Sequence, residues 1–512
     1  MKNIKINTSK SIEELEEIIF LQQQIIEISK AEIISYKERY IRLLEEFKLE
    51  KHRLYASSSE KNILQSDLFD EAGIELSDDL KNELDDKMDV ASFKRTKHPI
   101  RKPIPKDIPR EVVIYDINDK EKICGCGAHL SRIGEEISEQ IKYIPATLRV
   151  LQHVRPKYAC KPCQENVKIA KMPTLLLPKS LATPELVAYT IIAKFCDHIP
   201  LYRQEAIWQR LGIDLARSSA CGWLMKTAEL CERLVRLNQK ILVAENYIQA
   251  DETTVQVLNE VGRDNTTKSY MWCYRGGGEK PIIIYEYQPT RGGYHAINFL
   301  EGFNGYLQSD AYSGYNFAIK NPAIIKLGCM AHARRKFADI VKLAKTRGLA
   351  HEAINFFKAL YKIEKEAREN NLSSIDRFKL RDQKAPSVLE KFKLWLDGYL
   401  TKTPLQSKIY DAIRYTLSNW DFLKNYLQDG KLEIDNNQIE NSIRPFALGR
   451  KNWLFKGSPT GAKAGAIFYS LIETCKANNV EPYKYFCAML NRIRQCTTEE
   501  HYHELLPQFI KL

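Results

Sequence analysis

Residues 246–258, NYIQADETTVQVL, read as a β-strand whose run of apolar and β-branched residues is broken by Asp251. Two more strands follow, KSYMWCYRGGG (268–278) and PIIIYEYQP (281–289), joined by a glycine turn, so the three make an antiparallel meander. A helical stretch, GYHAINFLEGF (293–303), leads into GYLQSDAYSGYN (305–316), a short strand ending at Asp310. IIKLGCMAHARRKF (324–337) then reads as a fifth strand passing into a helix.

A carboxylate in the first strand and another at the end of the fourth are neighbours if those two strands lie side by side. That order is the ribonuclease-H-like core. A third acid comes from EIDNNQIENSIRPFALGRKNWLF (433–455), where carboxylates sit beside a basic, aromatic run. Glu440 lies on a predicted helix starting near Asp435 as N-cap, with Asn436 and Arg444 one turn away on either side. Asp251, Asp310 and Glu440 can together hold two Mg²⁺ (or Mn²⁺) ions about 3.5–4 Å apart, one activating an attacking oxygen and one stabilising the leaving oxygen. Arg444, Arg450, Lys451 and Lys456 suit phosphate groups, and Trp453 and Phe455 offer stacking surfaces. A solvated surface helix could carry such charges for solubility alone; a phosphodiester substrate accounts for acid and base meeting.

The chain has 512 residues, enough for several folding units. Its net charge of +12 is modest on average but clustered: basic groups gather at 95–110, 334–336 and 444–456, whereas 71–89 is acidic. No apolar run approaches the roughly 18–20 residues that span a bilayer, and the first residues do not resemble a signal peptide, so a cytoplasmic protein with no membrane partner is expected. In that compartment the 12 Cys are not a disulfide framework, and close pairs read first as metal ligands.

Those pairs are Cys124 and Cys126 in CGCG and Cys160 and Cys163 in YACKPC, two thiolate knuckles able to close one structural Zn²⁺ site or, otherwise, core cysteines. Upstream, Ile19, Ile26, Ile33, Tyr36, Tyr40, Leu43 and Phe47 form a heptad seam, fit for self-association or for an intramolecular partner. RKPIPKDIPR (101–110) is extended and basic, suited to a phosphate backbone or to a plain tether. TPELVAYTIIAKFCDH opens with Thr183 as N-cap and Pro184 at the first helical position. LYRQEAIWQRL, a short turn and ARSSACGWLMKTAELCERL then have the outline of a helix-turn-helix, with Arg217, Ser218 and Ser219 opening the recognition helix; any helical hairpin shares that outline.

The expected architecture is multidomain α/β: a coiled-coil helix over 1–56, a linker over 57–115 and a zinc-binding domain over 116–170. A helix-turn-helix DNA-binding region follows over 178–242, then a ribonuclease-H-like catalytic domain over 245–490 with a helical insertion at about 340–427, and a tail over 491–512.

ADETTVQVL, SDAYSGYN, GCMAHARRKF and the block from Glu433 to Phe486 resemble the insertion sequence 66 family of DDE transposases. The resemblance extends to LYASSSEKN, LFDEA, HVRPKYACKPC and HIPLYRQEAIWQRLGIDLARSS. It implies a transposase that binds the terminal inverted repeats of its element in double-stranded DNA, cuts there and joins the ends to target DNA, as a homo-oligomer and with accessory proteins of the same element. Asp251, Asp310 and Glu440 match the family's triad; His332 and Arg334 match its AHARRKF block, where phosphate positioning or a helix-capping or core role is expected. Asn441 stands where the family more often has Arg, and CxC is tighter than the usual knuckle. The rival readings are a non-catalytic zinc and helix-turn-helix regulator, or a metal-dependent nuclease that does not join DNA.

Overall fold

The computed structural model describes residues 19–30, 32, 33, 36, 40, 149–158, 168–343 and 348–512. It falls into two compact units: residues 75–170, and 1–74 together with 171–512. In the first, Lys157–Tyr158 pairs antiparallel with Lys168–Ile169. The four cysteines expected to hold zinc, and the linker, lie outside the described residues. Of the expected heptad seam, Ile19, Ile26, Ile33, Tyr36 and Tyr40 are described, helical and exposed.

The larger unit is built on a mixed five-stranded sheet. The strands are β1 (Tyr247–Gln256), β2 (Lys268–Gly276), β3 (Ile283–Gln288), β4 (Gly305–Gln308) and β5 (Ile324–Leu327), in the order β3-β2-β1-β4-β5. β1 to β3 form the antiparallel meander; β4 lies parallel to β1, and β5 parallel to β4. The first and fourth strands are thus neighbours, as the sequence reading required. Gly305 makes this approach feasible: its φ is +146°, and a Cβ there would come within 2.3 Å of the Asn246 carbonyl oxygen.

Alternation along β2 and β3 sends side chains to two different cores. Met271, Cys273, Ile283, Tyr285 and Tyr287 join one cluster; Trp272, Tyr274, Ile282 and Ile284 join the other, with Phe299, Phe303 and Tyr315. The first cluster is covered by α1 (Pro184–Phe195), α2 (Leu201–Arg210), α3 (Arg217–Val243), α8 (Asn437–Trp453), α9 (Pro459–Ala477) and α10 (Pro482–Arg492). On the open edge of β3, Ser470 of α9 accepts from the Tyr285 amide at 2.8 Å, and Thr474 accepts from the Ile283 amide at 3.0 Å, so the edge is sealed.

Thr183 caps α1 as expected, accepting from the Leu186 amide with Pro184 at the first position. The helix-turn-helix region does not stand apart, however: Val187, Phe195, Trp208, Leu224 and Leu234 share the core of Phe446, Phe468 and Leu506. Residues 491–512, expected as a tail, bury Leu505 and Leu506 completely. Apolar side chains spaced far apart in sequence close one core between them, which the local pattern does not reveal.

The insertion is helical: α4 (Met330–Leu343) runs into α5 (Leu349–Glu369), α6 (Ser374–Leu400) and α7 (Lys408–Ser418) around Phe337, Phe357, Phe392 and Ile413. Arg381, 1% exposed, bonds Glu364 and the carbonyls of Tyr426, Asp429 and Leu432. The insertion therefore grips the segment that feeds α8. No helix among the described residues is long and apolar enough to cross a membrane.

Candidate active site

In the parallel pairing of β1 with β4, Gln249 faces Gln308. Asp251 lies two residues further on, within β1, and Asp310 lies two residues past Gln308, just beyond the end of β4. Glu440 sits in the first turn of α8, which packs on β1 and β2. Burial holds the Asp251 carboxyl well above the usual carboxylate range, and the neighbouring charges of Glu252, Glu440 and Asp310 push it the same way. Glu440 is raised by burial too; Asp435 and Asp310 add to that effect while Arg335 opposes it. The charges of Asp310 and Glu440 thus act on Asp251, and that of Asp310 acts on Glu440.

Buried amides hold the frame. Gln249 Nε2 donates to Gln308 Oε1 at 2.8 Å and to the Asp435 carbonyl at 3.2 Å; Gln308 Nε2 donates to the Glu433 carbonyl at 2.9 Å. β1, β4 and the approach to α8 are thereby locked together just beneath the carboxylates. Glu252, adjacent to Asp251, turns away: its two oxygens take the Arg291 guanidinium at 2.6 Å and the Tyr315 hydroxyl at 2.6 Å. Glu433 is taken by Arg377 in two bonds of 3.0 and 2.8 Å, and Asp435 accepts from Tyr361 at 2.8 Å and from the Asn437 amide at 3.1 Å. Glu440 Oε1 accepts no hydrogen bond from the described residues.

The helix start differs by one residue from the expected one. Asn436 is the N-cap of α8, and Asp435 instead braces the turn through Asn437. A side-chain bond reaching two residues ahead satisfies the same amides as a conventional cap, which is why the two positions look alike in sequence.

The basic residues divide. His332 Nε2 lies 3.6 Å from Glu440 Oε1, and burial together with Arg335 and Lys336 lowers its pKa to about 4, so it is neutral at pH 7. Arg335 NH2 is 3.4 Å from Glu440 Oε2, whereas Arg334 is buried with its guanidinium 5.7 Å from the Tyr361 ring. Arg335 is the cation at the site; one step along a helix turns a side chain by about 100°, and the sequence cannot phase that turn against a distant pocket. Arg444 is half-buried, its pKa lowered by burial against the attraction of Glu440. Arg450 donates to the carbonyl and hydroxyl of Thr254 and so clamps α8 onto β1, while Lys451 is exposed.

Lys456 departs from its expected phosphate role. It is buried over the Trp453 ring at 4.0 Å, and burial with Lys194 nearby depresses its pKa well below the usual range. Trp453 is part-buried against Phe446, and Phe455 is exposed. Arg217, Ser218 and Ser219 are exposed at the start of α3, where the Arg217 amide donates to Glu205 at 3.0 Å. Cys329, which the sequence reading passed over, joins His332 and Glu440: their ligand atoms all lie within 4.8 Å of one another. Its signal was present as C-x-x-H at the mouth of a helix.

Residues 179–464 match the Transposase IS66 family. This chain belongs to that family. Its other matches follow the same plan: residues 121–164, which contain Cys124, Cys126, Cys160 and Cys163, match the zinc-finger binding domain of transposase IS66, and residues 470–508 match the IS66 C-terminal element. Residues 42–113 match a segment described as Transposase C of IS166 homeodomain. Among relatives in Sinorhizobium fredii (strain NBRC 101917 / NGR234), uncharacterized protein y4hP is 32% identical over 92% of this chain and 85% of its own length. Uncharacterized protein y4qI is 35% identical over 73% of this chain and 71% of its own, and y4jD is 33% identical over 76% and 78%. A transposase of the IS66 family therefore carries the carboxylate site described above.

Proposed function

We propose that the IS66-family chain cuts double-stranded DNA at the terminal inverted repeats of its element and joins the ends to target DNA, using Asp251, Asp310 and Glu440 on a ribonuclease-H-like core. The observation that carries this reading is that Asp251 on β1 and Asp310 just past the adjacent parallel strand β4 stand near Glu440, since the charges of Asp310 and Glu440 act on Asp251 and that of Asp310 acts on Glu440. Carboxylates crowded in a partly dry site repel one another, and a divalent cation is the partner that relieves the repulsion; an all-oxygen donor set suits Mg²⁺ or Mn²⁺. Two such ions, when bound, supply the charge that activates an attacking oxygen and stabilises a leaving one.

The chain's own groups do the rest. The Gln249–Gln308 pair keeps the strand ends in register, and Arg335 steadies Glu440. Arg444 and Lys451 face phosphates, while Arg217, Ser218 and Ser219 approach base edges from the start of α3. Homo-oligomers synapse two ends, with accessory proteins of the element and one structural Zn²⁺ in the zinc-finger segment. Pre-cut terminal DNA, a target plasmid and Mg²⁺ provide the test. Covalent joining is expected from the parent; hydrolysis without joining would make it a nuclease, and binding without either would make it a regulator.

A further inference from the structure

We infer that Cys329, His332 and Glu440 form a binding site for a thiophilic divalent cation of the Zn²⁺ class, one that shares Glu440 with the hard-metal site. Cys329 immediately precedes α4 and His332 lies three residues on, so both project at the mouth of one helix toward Glu440 on α8. Their ligand atoms lie within 4.8 Å of one another, and His332 Nε2 is already 3.6 Å from Glu440 Oε1. A tetrahedral ion with ligand distances of about 2.0–2.3 Å draws its ligand atoms to about 3.3–3.8 Å, a side-chain adjustment of about 1 Å.

Three further observations fit a metal ligand set. Glu440 is nine-tenths buried, and its Oε1 accepts no hydrogen bond from the described residues, while Arg335 occupies the other oxygen. The Asn436 amide donates to Cys329 Sγ at 3.4 Å and so fixes the position of the sulfur. His332 Nδ1 is buried and has no hydrogen-bond partner among the described residues. Binding replaces the Cys329 S–H bond with a metal–sulfur bond, and the proton leaves to solvent. Sulfur and imidazole select Zn²⁺ over Mg²⁺, whereas Asp251 and Asp310 offer oxygen alone. A soft ion here withdraws Glu440 from the carboxylate site and acts as a brake. That consequence for DNA joining rests on the transposase reading; the binding itself does not.

The test titrates Co²⁺ into chelator-stripped full-length parent and Cys329→Ser side by side, so that ions held by the amino-terminal cysteines cancel in the difference. The parent is expected to take up about one more Co²⁺ per chain, with a near-ultraviolet thiolate band, and loss of a ligand should weaken that uptake by at least about tenfold. His332→Gln, at a half-buried position, should lose the same band, and thermal melting shows whether either variant has unfolded. Superimposable titrations of folded parent, Cys329→Ser and His332→Gln would overturn the site. In Mg²⁺-supported joining, added Zn²⁺ should inhibit the parent more than Cys329→Ser; equal inhibition would overturn the brake. If the parent joins no DNA under any condition, the transposase reading fails while the cobalt titration still decides the metal site.

Discussion

Glu440, Glu433 and Asp435 stand within one short block, and their surroundings separate their roles. Glu433 and Asp435 spend their oxygens on Arg377, Tyr361 and Asn437, while Glu440 keeps one oxygen open beside Asp251 and Asp310. Glu440→Gln keeps the size and removes the anion, so DNA binding should persist while cleavage and joining fall by at least about 10²-fold, or about 2.7 kcal/mol of barrier. Asp251→Asn and Asp310→Asn should match it. Glu433→Gln and Asp435→Asn should instead show up in denaturant unfolding, with joining near normal in the folded fraction. Loss of joining in either neighbour, with normal joining by Glu440→Gln, would move the third carboxylate. At this scale Asp251 stood out in the sequence because it breaks an apolar run. Arg335 and Cys329 did not, since their reach depends on how α4 is rotated.

Between elements, α8 shows why a basic run need not act as one patch. Arg450 is clamped on Thr254 of β1, and Lys451 next to it faces solvent. Lys451→Ala should weaken DNA binding at every sequence and lower the salt slope by about one charge, or about 0.9 in log–log units. Arg450→Ala should reduce stability as well, which filter binding and urea unfolding of the two variants will separate. β3 carries a second consequence. Burial raises Glu286 from the ordinary carboxylate range to about 7, and its Oε2 has no hydrogen-bond partner among the described residues. Between those two pKa values the folded chain binds a proton that the unfolded chain has lost, so stability falls as pH rises through this window and the penalty is complete above 7. Glu286→Gln should therefore stabilise the protein at pH 8 by up to about 3 kcal/mol and change little at pH 4, read from unfolding midpoints at both values.

Over the larger unit, α1 to α3, the sheet and the last helices share a single apolar core. The segments proposed to read DNA and to carry the carboxylates are therefore not independently folded beads. Leu506, fully buried more than 200 residues beyond β1, should cost about 2–5 kcal/mol when changed to Ala, and the melt should remain one transition for both segments. Separate transitions would show two cores. The unit of residues 75–170 is a different case: Cys124, Cys126, Cys160 and Cys163 fall within the zinc-finger match. Metal analysis of protein purified without chelator should give about one Zn²⁺ per chain at these thiolates, lost in Cys160→Ser.

The sequence by itself determined the strand meander and the Thr183 cap of α1, because turns, alternation and capping are set by residues near one another in the chain. Tertiary structure alone decided that Arg335 rather than Arg334 meets Glu440, that Lys456 is buried over Trp453, and that residues 491–512 close the core. Each of those outcomes depends on the rotation and approach of elements far apart in sequence. The free energy that chooses between them is burial and pairing across the fold, and no local pattern encodes which partner will be found there.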